Sequence, residues 1–104
     1  MNSDDGRKHD GKEQAAQESE RVQKNLERTV KTTGASYEKY AEQIQGTIDK
    51  TSKLAAVDDE DLAESFTKLQ GSTKDVSKAL EGMQLATDIA AARGISLEAA
   101  TKAV

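Results

Sequence analysis

The chain contains no cysteine, no proline and no tryptophan, and its only aromatic residues are Tyr37, Tyr40 and Phe66. Without cysteine there are no disulfides and no thiol chemistry. With His9 as the single histidine, the three or four nitrogen and sulfur ligands of a zinc site cannot be assembled. No apolar run approaches the roughly 20 residues that span a bilayer, and the first residues show no apolar core of the signal-peptide kind. The formal charge is −4, from 15 Lys and Arg against 19 Asp and Glu. The two signs are interleaved along the chain, which reads as a solvated surface and argues against nucleic-acid binding.

Large apolar side chains are scarce as well. Leu, Ile, Val and Phe together number 17 of 104, while Ala alone contributes 15. Alanine loses no side-chain entropy in a helix, so a proline-free, alanine-rich chain favours helices. Small side chains each bury little area, at about 25 cal/mol per Å². A thin core and marginal stability follow.

No period-two strand pattern appears, and the chain reads as all-α: about five short helices in a loosely packed bundle. Residues 1–11, with two glycines and both charge signs, read as a disordered head. Residues 12–56 read as a polar helical hairpin and residues 57–104 as a small Ala-rich helical domain. In the hairpin, Val22, Leu26 and Val30 form a narrow stripe, extended weakly by Ala15 and Ser19. Gly34 ends the first helix. Ser36 is a candidate N-cap for the second, whose face carries Tyr37, Tyr40, Ala41, Ile44 and Ile48. Gly46 within it marks a close contact or a loose spot. The run Asp58-Asp59-Glu60-Asp61 reads as the start of a third helix, because carboxylates there face the positive end of the helix dipole. A calcium loop would need a glycine and alternating oxygen ligands that this run lacks. Leu62, Phe66 and Leu69 point inward. Gly71 is the expected C-cap, and Ser72 or Thr73 the start of a fourth helix with Asp75 in its first turn. Val76, Ala79, Leu80, Met83, Ala86 or Ala90, and Ile89 trace its buried face, and Gly82 is an expected kink. Gly94 after Arg93 is a C-terminal stop. Ser96 caps a last helix in which Leu97, Ala100, Thr101 and Val104 recur. That pattern stops without a capping glycine or a polar tail, so the chain is expected to be a piece of something longer or a truncated copy.

The residues offer little chemistry. His9 lies in the head and reads as a solvated bystander. Tyr37 and Tyr40, at helical spacing, read as half-buried core rather than a ligand platform. Asp88 sits between Ala86-Thr87 and Ile89-Ala90-Ala91-Ala92. If buried it needs a partner, and the expectation is a packing role. No phosphate loop, nucleophile elbow or metalloprotease motif is present. The expected catalytic, cofactor and metal residues are therefore none.

Several stretches nevertheless form a recognisable set: Thr33-Gly34-Ala35-Ser36-Tyr37; Asp59-Glu60-Asp61-Leu62 and on to Leu69; Ser72-Thr73-Lys74-Asp75; and the block Ala86-Thr87-Asp88-Ile89-Ala90-Ala91-Ala92-Arg93-Gly94-Ile95-Ser96-Leu97-Glu98-Ala99-Ala100. Together they resemble bacteriophage tail tape measure proteins, a family of minor tail proteins also found in prophages. The last block is the most specific, matching A-x-D-[LI]-A-A-A-[TR]-G-x-S-L-E-x-A in order and spacing. Ser72-Thr73-Lys74 departs from the T-G-D that the family often carries. The resemblance spans Glu27 to Val104. It implies a structural component of the virion tail that sets tail length during assembly in the host cytoplasm. Its implied partners are tail-tube subunits, tail-tip proteins and tail assembly chaperones, and it implies no catalytic residues. Even fully helical, 104 residues would span only ~160 Å, so the chain would be a segment of a ruler or a prophage remnant. The residues alone also fit a small helical interaction module or adaptor whose thin stripes bind partner helices or a second copy.

The scarcity of large apolar side chains predicts a helical circular-dichroism spectrum and a broad melt, or one centred below about 50 °C. A sharp transition at high temperature would contradict a thin core.

Overall fold

A computed structural model describes residues 20–104 of the protein. The head at 1–11, His9, Ala15, Ser19 and the start of the polar helix lie outside the described residues. Among the described residues there are five helices and no strand. Helix α1 covers residues 20–32. It is followed by α2 (Tyr37–Ala55), α3 (Asp59–Thr73), α4 (Val76–Arg93) and α5 (Leu97–Ala103).

Each helix after the first opens on a side-chain cap that satisfies one of the orphan amides of its first turn. Ser36 Oγ accepts from the Lys39 amide at 3.4 Å and Asp58 Oδ1 from the Glu60 amide at 3.4 Å. Asp75 Oδ1 accepts from the Lys78 amide at 3.0 Å and Ser96 Oγ from the Ala99 amide at 3.1 Å. The acidic run therefore starts α3, with Asp58 as the cap and Asp59, Glu60 and Asp61 in the first turn.

Helix α4 ends as its sequence predicts. Gly94 takes the left-handed conformation at φ +67°, and the amides of Gly94 and Ile95 both reach the Ala90 carbonyl, at 2.9 and 3.2 Å. The boundary between α3 and α4 differs from expectation. Gly71 does not cap α3, which continues through Thr73; Lys74 adopts the left-handed conformation at φ 58° and donates its amide to the Gln70 carbonyl at 2.8 Å. Asp75, not Ser72 or Thr73, is the N-cap of α4. The cap of α4 thus falls later than the sequence suggested, and Lys74 occupies a position where a left-handed backbone favours glycine.

The buried apolar residues of all five helices form one cluster. Val22, Leu26 and Val30 of α1 join Ile44 and Ile48 of α2, and α3 adds Leu62, Ala63, Phe66 and Leu69. Val76, Ala79, Leu80, Met83 and Ala86 come from α4, and Leu97 and Ala100 from α5. Phe66, Leu26, Ile44, Leu62 and Met83 are among the largest fully buried side chains. Among α2 to α5 the most extensive contact is between α3 and α4. There, Gly82 does not interrupt α4. Its missing side chain lets Leu69 approach: a Cβ at position 82 would lie 3.1 Å from Leu69 Cδ1. Gly46, by contrast, faces open space.

These backbones set three expectations for urea denaturation. Gly46→Ala should stabilise by about 0.5–1 kcal/mol, the helix-propensity difference with nothing to clash. Gly82→Ala should gain less or lose, because buried Leu69 must give way. Lys74→Gly should stabilise by about 1 kcal/mol by removing a left-handed non-glycine residue. A Gly82→Ala gain equal to that of Gly46→Ala would refute the close α3–α4 approach.

Candidate functional site

Three polar junctions hold the helices in register. The first joins α1 to α2. Gln23 Nε2 donates to Tyr37 Oη at 2.7 Å and to Glu27 Oε2 at 3.2 Å. Gln45 Nε2 donates to Gln23 Oε1 at 3.1 Å and to Tyr37 Oη at 3.3 Å. Each amide group spends both hydrogens, so the triangle of Gln23, Tyr37 and Gln45 is closed. Tyr37 and Tyr40 are half-buried against the core, as helical spacing suggested.

The second junction joins α3 to the turn after α1. Fully buried Gln70 donates from Nε2 to Thr33 Oγ1 at 2.8 Å. Thr33 spends its own hydrogen on the carbonyls of Val30 and Thr29, at 2.9 and 3.0 Å. Gln70 Oε1 is buried and has no protein donor. An orphan of this kind costs about 1–3 kcal/mol if water does not reach it.

The third junction joins α3 to α5. Ser65 Oγ of α3 and Thr101 Oγ1 of α5 lie 2.7 Å apart, both buried. Thr101 spends its one hydrogen on the Leu97 carbonyl at 2.7 Å. Ser65 is therefore the donor and Thr101 the acceptor. Thr87 is likewise buried and donates to the Met83 carbonyl at 2.8 Å.

Asp88 departs from expectation. It is exposed, not buried in an apolar setting. Its sequence neighbours are apolar, but a helix turns Asp88 away from the face that carries Ala86 and Thr87. No buried partner is needed, and no packing role follows.

Open clefts flank these junctions. One of about 480 Å³ lies beside Gln23, Gln45, Gly46, Asp49, Asp59 and Glu60. A second, of about 180 Å³, lies between α3 and α5 beside Asp61, Lys68 and Glu98. The Lys68 ammonium is 3.8 Å from Glu98 there, and Lys102 is 3.8 Å from the same carboxylate. Partial burial, together with the carboxylates of Asp58 and Glu60, raises the Asp61 pKa above its ordinary value. The folded chain then holds this proton more tightly than the unfolded one. Ionised Asp61 therefore costs stability, and the cost fades as pH falls toward the ordinary carboxylate range. Among the described residues no group of three or more His, Cys, Asp or Glu side chains is placed to hold a metal ion, and no helix is long and apolar enough to cross a membrane.

Comparison with protein-family models, with curated proteins and with solved structures returns no match.

The hydroxyl junction is testable by a double-mutant cycle. Ser65→Ala removes a donor and should cost about 1 kcal/mol, whereas Thr101→Val leaves the Ser65 hydroxyl buried without its partner and should cost about 1–3 kcal/mol. The double variant should cost less than the sum of the two. Strict additivity would mean that the two hydroxyls are not coupled.

Proposed function

We propose that the chain is a structural segment of a phage tail tape measure protein, acting in the virion tail and taking part in setting tail length during assembly. The observation that carries this reading is the block Ala86 to Ala100. Its residues follow the family's pattern in order and spacing, and several of them have a structural task, although exposed Asp88 has none. Ala86, Leu97 and Ala100 are buried, Thr87 bonds back to its own helix, Gly94 supplies the left-handed stop and Ser96 caps α5. A motif whose residues build a corner, and supply no reacting group, suits a protein whose work is mechanical. The all-α architecture suits it as well. The implied partners remain tail-tube subunits, tail-tip proteins and assembly chaperones, met in the host cytoplasm.

A helical adaptor is the second reading. It is favoured by large apolar side chains that the fold leaves out, among them Leu54 at 79 % exposed and Leu85 at 52 %. Such side chains are ordinary when single and gain meaning only with a partner helix over them.

The experiment that separates the two is an in-frame deletion of the codons for residues 37–103 in a phage or prophage that carries the gene, followed by electron microscopy of the tails. A ruler segment predicts tails shortened by up to about 100 Å, at 1.5 Å rise per residue, or tails of irregular length. Tails of unchanged, uniform length would reject the ruler and leave the adaptor.

A further inference from the structure

The charges that alternate along the sequence of α1 separate in space. Val22, Leu26 and Val30 are buried on one side. Arg21, Lys24, Arg28 and Lys31 recur at intervals of three, four and three residues and are all exposed. Helical geometry puts these four cations on one outward face, over about 15 Å of axis. Arg21, Lys24 and Arg28 line a shallow depression there with Glu20 and Asn25.

Lys53 pairs with Asp49, and Lys68 and Lys102 pair with Glu98. Lys24, Arg28 and Lys31 have no ion pair among the described residues. Glu27 is spaced to pair with Lys31 one turn on, yet its carboxylate accepts from Gln23 Nε2 at 3.2 Å. Gln23 belongs to the closed triangle with Tyr37 and Gln45. The α1–α2 junction therefore holds the nearest acid toward the interhelical side and leaves the outer face positive. Glu20 remains at the edge of the stripe, so the four cations leave the face with a local charge of about +3 on a molecule whose formal charge is −4.

We propose that the outward face of α1, centred on Lys24, Arg28 and Lys31, docks an acidic protein helix that presents carboxylates at helical spacing. Two features select this partner over a nucleic acid. The face has no aromatic residue on which a base could stack. The cations run in a straight line along about three turns, the repeat at which a second helix places its own side chains. This inference stands apart from the tail reading: it concerns which surface is engaged, and either functional reading accommodates it.

The test uses the full chain and two fluorescent probes, an alanine-based helical peptide with glutamates along one face and a short DNA duplex, read by anisotropy at about 20 mM salt, where charge contacts are little screened. The stripe variant is Lys24→Gln/Arg28→Gln/Lys31→Gln. A control, Lys50→Gln/Lys53→Gln/Lys78→Gln, removes the same charge elsewhere. All six positions are exposed, and circular dichroism checks that both variants keep their helices. The expected result is peptide binding by the unmodified chain, weakened about tenfold in the stripe variant and less than about twofold in the control, with the duplex bound more weakly than the peptide. The proposal is overturned by no peptide binding at all, by equal loss in both variants, which would report net charge only, or by tighter binding to the duplex, which would name a nucleic acid as the partner.

Discussion

The structure depends on the burial of α3. This helix packs against α2, α4 and α5 and bonds to the turn that follows α1, and Phe66, the chain's only phenylalanine, sits in it fully buried. A side chain of that size stabilises by about 1.5–3 kcal/mol when withdrawn from water. No other apolar residue here brings as much area. Leu62, Ala63 and Leu69 extend the same helix's apolar surface toward α2 and α4, while Ser65 and Gln70 carry its polar contacts toward α5 and the end of α1. Because one helix supplies contacts in every direction, the outer helices can be short and alanine-rich and still find a surface.

A thin core does little to fix how helices slide against each other. Alanine faces are smooth, and many registers bury similar area. Directional bonds supply what shape does not: Ser65 to Thr101 ties α5 to α3, Gln70 to Thr33 ties α3 to the first turn, and the glutamine–tyrosine triangle ties α1 to α2. Each satisfied bond adds only about 1 kcal/mol net. A wrong register would strand the same groups without partners, and that penalty is the larger one. Gln70 Oε1, buried with no protein donor, shows the limit of this arrangement.

The caps were legible in the sequence because capping is local chemistry. Ser36, Ser96 and Gly94 need only their own neighbours, and each sits where pattern reading places it. The inward faces of α1, α3 and α4 were legible from periodicity for the same reason. The α3–α4 boundary was not, because the reading relied on a glycine to stop the helix and Lys74 takes the left-handed turn instead. Asp88 was misread from its sequence neighbours rather than from its angle on the helix. The three junctions depend on which side chains meet across 14 to 37 positions of chain, and no local pattern announces that. The positive face of α1 was hidden for a related reason. Sign alternation along a helix says little about sign on its surface, and here the deciding contact, Gln23 to Glu27, is fixed by partners on another helix.

That last contact links stability to surface. Glu27 has two competing opportunities: an exposed pair with Lys31 one turn on, or a part-buried hydrogen bond to an amide already held by Tyr37 and Gln45. An exposed pair of this spacing contributes about 0.3–0.5 kcal/mol. A hydrogen bond to a charged acceptor contributes about 1.5–3 kcal/mol when shielded from solvent, and the Gln23 amide is pre-positioned, so little entropy is lost in making it. The second opportunity wins, and the outer cations are left to solvent. The surface charge of α1 is thus a consequence of how α1 is fastened to α2. A substitution in the triangle, far from the outward face, would free Glu27 to swing back and neutralise the stripe without changing the formal charge of the chain.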